Sequence, residues 1–132
     1  MEDNDISNDL TRTFVSALRG AEQDSDVEGL AALFTEDAEL FRLDGEGTRR
    51  GDARTFWTQY RDQFGDVSTT FSNAVETEGE AALEWESTGT RPDGRPFRYQ
   101  GSTFLSLGED RITGLRTYYD TAAFVDIPAG TR

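Results

Sequence analysis

Up to about residue 64 the apolar residues recur at intervals of three and four, and from residue 67 they recur at every second position. Helical spacing followed by strand alternation in a short chain restricts it to folds that place helices first and an antiparallel sheet after them. Residues 6–23 read as a helix, with Leu10, Phe14, Ala17, Leu18 and Ala21 on one stripe and Asp5 or Asn8 as its cap. A second helix is predicted over about 26–34, where Ser25 and Glu28 have capping-box spacing and Val27, Leu30, Ala31 and Phe34 form the buried face. Residues 38–43 read as a short strand closed by the turn Asp44-Gly45-Glu46-Gly47. Asp52 then opens a third helix whose Phe56, Trp57, Tyr60 and Phe64 share one side, with Gly65 at its end.

In the second half, residues 67–76 alternate and put Val67, Thr69, Phe71, Asn73 and Val75 on one face. Residues 81–90 oppose Leu83 and Trp85 to Glu84 and Glu86, and Arg91-Pro92-Asp93-Gly94-Arg95-Pro96 has the composition of a hairpin loop. Strands over 97–107 and 111–119 follow, the first with Phe97, Tyr99, Gly101, Thr103 and Leu105 on one face; the last dozen residues read as a tail. The predicted class is α+β, three N-terminal helices packed on a curved, mostly antiparallel sheet. One domain is expected over 1–132, with a core of about 6–124, since 132 residues suit a single core. A sheet wrapped around helices leaves a hollow at its open end, where a small ligand fits.

Composition removes whole reaction classes. The chain has no Cys, no His and no Lys, which excludes thiol nucleophiles, cysteine or histidine metal sites and Schiff-base chemistry. No metal and no cofactor are expected, and catalysis would fall to carboxylates, Tyr, Ser, Thr or Arg. The formal charge of −13 repels phosphate backbones and anionic headgroups, so neither nucleic acid nor a membrane surface is an expected partner. With no apolar run of about 20 residues and an acidic N-terminus, a cytoplasmic protein is expected. Abundant Asp without Lys is compatible with a salt-adapted source. Nine Phe, four Tyr and two Trp, spread along the periodic segments, are enough to build an aromatic interior despite the charge.

Several stretches together resemble the SnoaL-like branch of the nuclear transport factor 2-like superfamily. They are residues 26–38 (DVEGLAALFTEDA), Arg50-Gly51 leading to Phe56-Trp57, residues 82–90 (ALEWESTGT), Gly94-Arg95-Pro96, and Arg111-Ile112 running on to Tyr118-Tyr119-Asp120. The resemblance implies a cone-shaped α+β barrel with a mostly apolar cavity, and a homodimer formed through the outer face of the sheet. It also implies company with ketosteroid isomerases, limonene epoxide hydrolases, polyketide cyclases and non-catalytic accessory domains. The isomerase base corresponds to Arg42, and its two oxyanion donors correspond to Leu18 and the neighbourhood of Thr103, so that chemistry is not expected. Epoxide hydrolases carry an acid where Thr117 stands, whereas the late acid of SnoaL-type cyclases is similar in place to Asp120.

Asp120, with Tyr119 beside it, is therefore the candidate acid or base, set against a simpler role in which Asp120 caps Thr121-Ala122-Ala123 or pairs with Arg116 or Arg98. Phe14, Leu18, Trp57, Tyr60, Phe64, Phe71, Trp85 and Tyr99 are the candidate cavity wall. Asn73, Ser87, Thr103 and Thr117 are the candidate polar contacts within it, because the first three fall on faces that otherwise read as buried. The expected function is binding of a small, largely apolar molecule. The alternatives are a cyclase, isomerase or hydratase using Asp120, and a dimeric accessory domain.

Overall fold

A computed structural model of the chain describes residue 2, residues 5–43 and residues 47–124. The turn predicted over Asp44-Gly45-Glu46 and all of the tail beyond residue 124 lie outside these residues. The described elements run α1 (Asp9–Asp24), α2 (Val27–Ala31), β1 (Phe34–Arg42), β2 (Gly47–Arg50), α3 (Ala53–Asp62), β3 (Asp66–Glu76), β4 (Glu80–Thr90), β5 (Pro96–Leu107) and β6 (Ile112–Tyr119), then a 3-10 turn over Thr121–Phe124. The strands form one curved sheet in the order β2-β1-β6-β5-β4-β3, in which β1 and β6 are parallel and every other pair is antiparallel. The helices cover one face, and the class is α+β as the periodicity implies. Among the described residues, no helix is long and apolar enough to cross a membrane.

The helix caps come from short polar side chains. Asn8 accepts the Thr11 N–H at the start of α1, and Asp52 accepts the Thr55 N–H at the start of α3. Two boundaries differ from the sequence reading. Ser25 lies in the left-handed region (φ 58°) as the C-cap of α1, so Asp26 caps α2 instead, accepting from the Gly29 N–H. The second helix stops at Ala31 because the Leu33 carbonyl is taken by the Ile112 N–H at 2.8 Å, which draws residues from Phe34 onward into the sheet. Phe34 stays in the core, as a strand residue. The edge strand β2 was not foreseen, since Gly-Thr-Arg-Arg carries no apolar alternation and pairs along one side only.

Side-chain direction along β3 also differs from the sequence reading. Phe71 pairs with Trp85 and Asn73 with Glu84, which leaves Ser72 as an extra residue in β3. This bulge reverses the alternation, because the side-chain period in a strand is two. Val67, Thr69 and Phe71 face the helices, but Asn73 and Val75 turn outward and Ala74 takes the inward place.

On the inner face the register stacks residues in rows across the sheet. One row is Thr69, Ser87 and Tyr99; the next is Phe71, Trp85, Gly101 and Tyr119; the third is Leu83, Thr103, Thr117 and Arg42. Against these rows lie Phe14 and Leu18 from α1 and Phe56, Trp57 and Tyr60 from α3. The core is thus a layer of rings between the helices and the sheet, with Trp57 5.0–6.1 Å from Phe14, Phe56 and Tyr60.

Candidate functional site

Where α1 and α3 splay from the sheet, the three rows and the helix side chains enclose a cavity. It leaves about 40 Å³ for the centres of water molecules, room for about three waters. Aromatic and aliphatic side chains make most of the wall: Phe14, Leu18, Phe56, Trp57, Trp85 and Leu115, with the rings of Tyr60, Tyr99 and Tyr119. Trp85 stands over Gly101, the residue paired with it on β5. A Cβ at Gly101 would come within 2.6 Å of the indole and 2.4 Å of the Tyr118 carbonyl, so only glycine leaves the ring its place.

Besides Arg42 and Gln63, the polar atoms fall into three groups. On the β5–β6 side the Trp85 Nε1–H donates to Thr103 Oγ1 at 2.8 Å, and Thr103 and Thr117 share a hydroxyl hydrogen bond at 3.0 Å. Thr117 Oγ1 also approaches the Ser102 carbonyl at 3.3 Å. On α3 the Trp57 Nε1–H is buried and has no hydrogen-bond partner among the described residues. A buried donor left in this state costs free energy that a bound acceptor recovers.

The third group was not singled out in the sequence. Glu22, only 3 % exposed, accepts the Tyr60 hydroxyl at 2.6 Å, the Thr69 N–H at 3.0 Å and the Thr69 hydroxyl at 2.6 Å. Thr69 Oγ1 lies 2.6 Å from Ser87 Oγ, and Tyr60, Thr69 and Ser87 all line the cavity. Burial raises the Glu22 pKa above its ordinary value of 4.5, opposed by the Thr69 and Tyr60 hydrogen bonds and by the Arg61 charge. Burial, then the Glu22 charge, holds the Tyr60 hydroxyl well above its ordinary range, so at neutral pH Tyr60 is a donor. The signal was present: Glu22 follows Phe14 and Leu18 at intervals of four, a carboxylate on the buried stripe of α1.

Arg42 also lines the cavity, its guanidinium 5.0 Å from the centre of the Phe56 ring. The mostly apolar cavity therefore also holds charge: a cation sits in the wall and a carboxylate one side chain behind it.

Of the residues named from sequence, Phe14, Leu18, Trp57, Tyr60, Trp85, Ser87, Tyr99, Thr103, Thr117 and Tyr119 are brought together around the cavity. Phe64 and Phe71 are buried but stand outside its wall, Phe64 against Phe97 at 4.9 Å. Asn73 points to the outer face, where it donates to Glu84 Oε1, because of the β3 bulge. Asp120 is exposed at the end of β6 and accepts the Ala122 N–H at 3.0 Å, which is the capping role; strand alternation from Tyr119 turns it away from the cavity.

This architecture has known counterparts. The family model described as the SnoaL-like domain matches residues 12–115. The chain belongs to the SnoaL-like family. Solved structures similar to this SnoaL-like protein carry the same fold at low identity. An NTF2-like protein from Anabaena variabilis is 17 % identical, with a TM-score of 0.79 over 86 % of this chain and 89 % of that one. A protein with a ketosteroid isomerase-like fold from Catenulispora acidiphila, in complex with trimethylamine, is 19 % identical, with a TM-score of 0.73 over 83 % and 87 %. An epoxide hydrolase from M. tuberculosis is 18 % identical, with a TM-score of 0.65 over 83 % and 82 %. No curated protein matches the chain by sequence.

Proposed function

We propose that this SnoaL-like protein binds a small, largely apolar molecule in the cavity between α1, α3 and the sheet. The observation that carries the reading is the Trp57 Nε1–H, a buried donor with no hydrogen-bond partner among the described residues, on a residue of a wall built mostly of rings and aliphatic groups. A ligand acceptor meets that donor, and the apolar wall takes the rest of the molecule. Two relatives of the same fold act on or hold small molecules, one an epoxide hydrolase and one bound to trimethylamine. A screen of single-ring compounds by native mass spectrometry and thermal shift tests the reading. Retention of a compound together with a raised melting temperature is expected, and a set in which nothing binds and nothing stabilises would overturn it.

The outer face of the sheet supports pairing with a second copy. The register aligns Val75, Ala82, Phe104, Arg116 and Phe41 in one outward row, and Tyr118 packs 5.5 Å from Phe41 and 6.2 Å from Phe104. Val75 is 61 % and Tyr118 39 % exposed, and Arg116 lies over the Phe104 ring within this otherwise apolar row, a surface of the kind that buries against a partner. Sedimentation at high salt, where the −13 charge is screened, should show a dimer that Phe104→Glu converts to monomer. A wild-type monomer at high micromolar concentration would rule the pairing out.

A further inference from the structure

The line of hydrogen bonds behind the cavity wall has a fixed direction. Glu22 as a carboxylate can only accept, so the Thr69 hydroxyl proton is committed to Glu22 Oε2 and the Tyr60 proton to the same oxygen. Thr69 Oγ1 then has only lone pairs left for Ser87, and the 2.6 Å contact between them requires Ser87 to be the donor. Ser87 is 1 % exposed and its one proton points back into the wall, so the cavity meets only its lone pairs. Ser87 in this state binds a donor and rejects an acceptor.

We propose that Glu22 is a positioning residue that sets Ser87 as an acceptor, and that the site selects a small apolar molecule bearing a weakly acidic hydroxyl, a phenol or an enol. The proposal rests on the cavity-binding reading above and adds the chemical class of the ligand. The same line carries a proton. The ligand O–H bond breaks as its proton moves to Ser87 Oγ, the Ser87 proton moves to Thr69 Oγ1, and the Thr69 proton moves to Glu22 Oε2. The ligand becomes an oxyanion and the carboxylate a carboxylic acid, with no atom gained or lost and every hydrogen bond in the line reversed.

Reversal gives the test. Protonation of Glu22 turns Thr69 and Ser87 round, so that Ser87 presents its proton to the cavity and prefers an acceptor. The groups facing Glu22 are Tyr60 and Arg61 from α3, Thr69 from β3, and Tyr99 from β5 behind Tyr60. Of these only Glu22 changes charge in mildly acidic solution.

The probes are phenol, its methyl ether anisole, and acetophenone, with Kd measured by calorimetry from pH 4 to pH 8. The expected result at pH 8 is that phenol binds about tenfold more tightly than anisole or acetophenone, the worth of one hydrogen bond to a committed acceptor. Toward pH 4 the preference for phenol over acetophenone is expected to shrink or invert. Glu22→Gln, which turns an amide N–H toward Thr69, is expected to show the acidic preference at every pH. Ser87→Ala keeps the cavity and is expected to remove the phenol advantage at all pH values, so the test does not depend on Glu22→Gln folding. If the three probes bind wild-type protein equally, or if the preference is the same at pH 4 and pH 8, the proposal fails while the cavity reading stands. If none of the three binds, both fail.

Discussion

The Tyr60 hydroxyl and the Glu22 carboxylate lie 2.6 Å apart and tie α3 to α1 at the wall of the cavity. The bond joins residues 38 positions apart and sits where both groups have lost water. Its removal therefore costs more than a surface contact. Tyr60→Phe is expected to lower unfolding stability by about 1–3 kcal/mol, since hydrogen bonds to charged groups are the strong ones. Losing this donor also removes a contact that lowers the Glu22 pKa, so a Glu22 titration followed by carbonyl carbon NMR should move to higher pH in the variant. An unchanged titration would place Tyr60 outside the network.

Glu22 also sets a pH dependence of stability. Its folded-state pKa is raised above the ordinary 4.5, so the folded protein binds a proton more tightly than the unfolded chain does. The stability this contributes is fully present below about pH 4.5 and is lost as the pH rises through the higher, folded value. Denaturant unfolding of wild type and Glu22→Gln, measured from pH 4 to pH 8, should therefore show wild type losing stability relative to the variant as the pH rises. A constant difference across that range would show that Glu22 is not raised.

The Trp85 Nε1–H donates to Thr103 Oγ1 in a fully buried pair. Thr103→Val keeps the shape and removes the acceptor, leaving an indole N–H inside the wall. A loss of about 1–3 kcal/mol is expected, the cost of a buried donor without a partner, together with a shift of the Trp85 emission. A variant as stable as wild type would mean that another acceptor reaches the indole.

Gly101 is where the chain passes beneath Trp85. Gly101→Ala places a methyl group where the ring and the Tyr118 carbonyl already stand, and overpacking of this kind costs about 1–3 kcal/mol. The melting temperature should fall and ligand affinity should fall with it, because the displaced ring is part of the wall. Lost stability with unchanged affinity would separate Trp85 from the binding surface.

Asp120 provides the contrasting case. It is exposed and bonded to the Ala122 N–H, so Asp120→Asn should change stability by no more than about 1 kcal/mol and leave cavity binding intact. A large loss of binding in this variant would return Asp120 to the site.

Much of this was legible in the residues. The shift from helical spacing to alternation gave the helices and the four long strands, because those patterns report which side chains must leave water. Alternation along β5 placed Tyr99 and Thr103 correctly, since no bulge interrupts that strand where they stand. Asn73 was misplaced because one extra residue in β3 reverses everything after it, and no local residue type announces such a bulge. β2 was missed because an edge strand of polar residues has no buried face to pattern. Glu22 was overlooked because its meaning comes from Tyr60, Thr69 and Ser87, three residues brought to it from α3, β3 and β4.

The cavity reading meets its most direct test in the indole N–H region of a proton–nitrogen correlation spectrum. The chain has two Trp; the Trp57 indole N–H has no hydrogen-bond partner among the described residues, while that of Trp85 is bonded to Thr103. Titration with phenol should move the Trp57 signal along a saturating curve and leave the Trp85 signal the less affected of the two. Leu18→Phe, which fills the cavity from α1, should abolish the shift. A Trp57 signal that stays fixed to millimolar phenol, or that moves equally in Leu18→Phe, would contradict a binding site in this cavity.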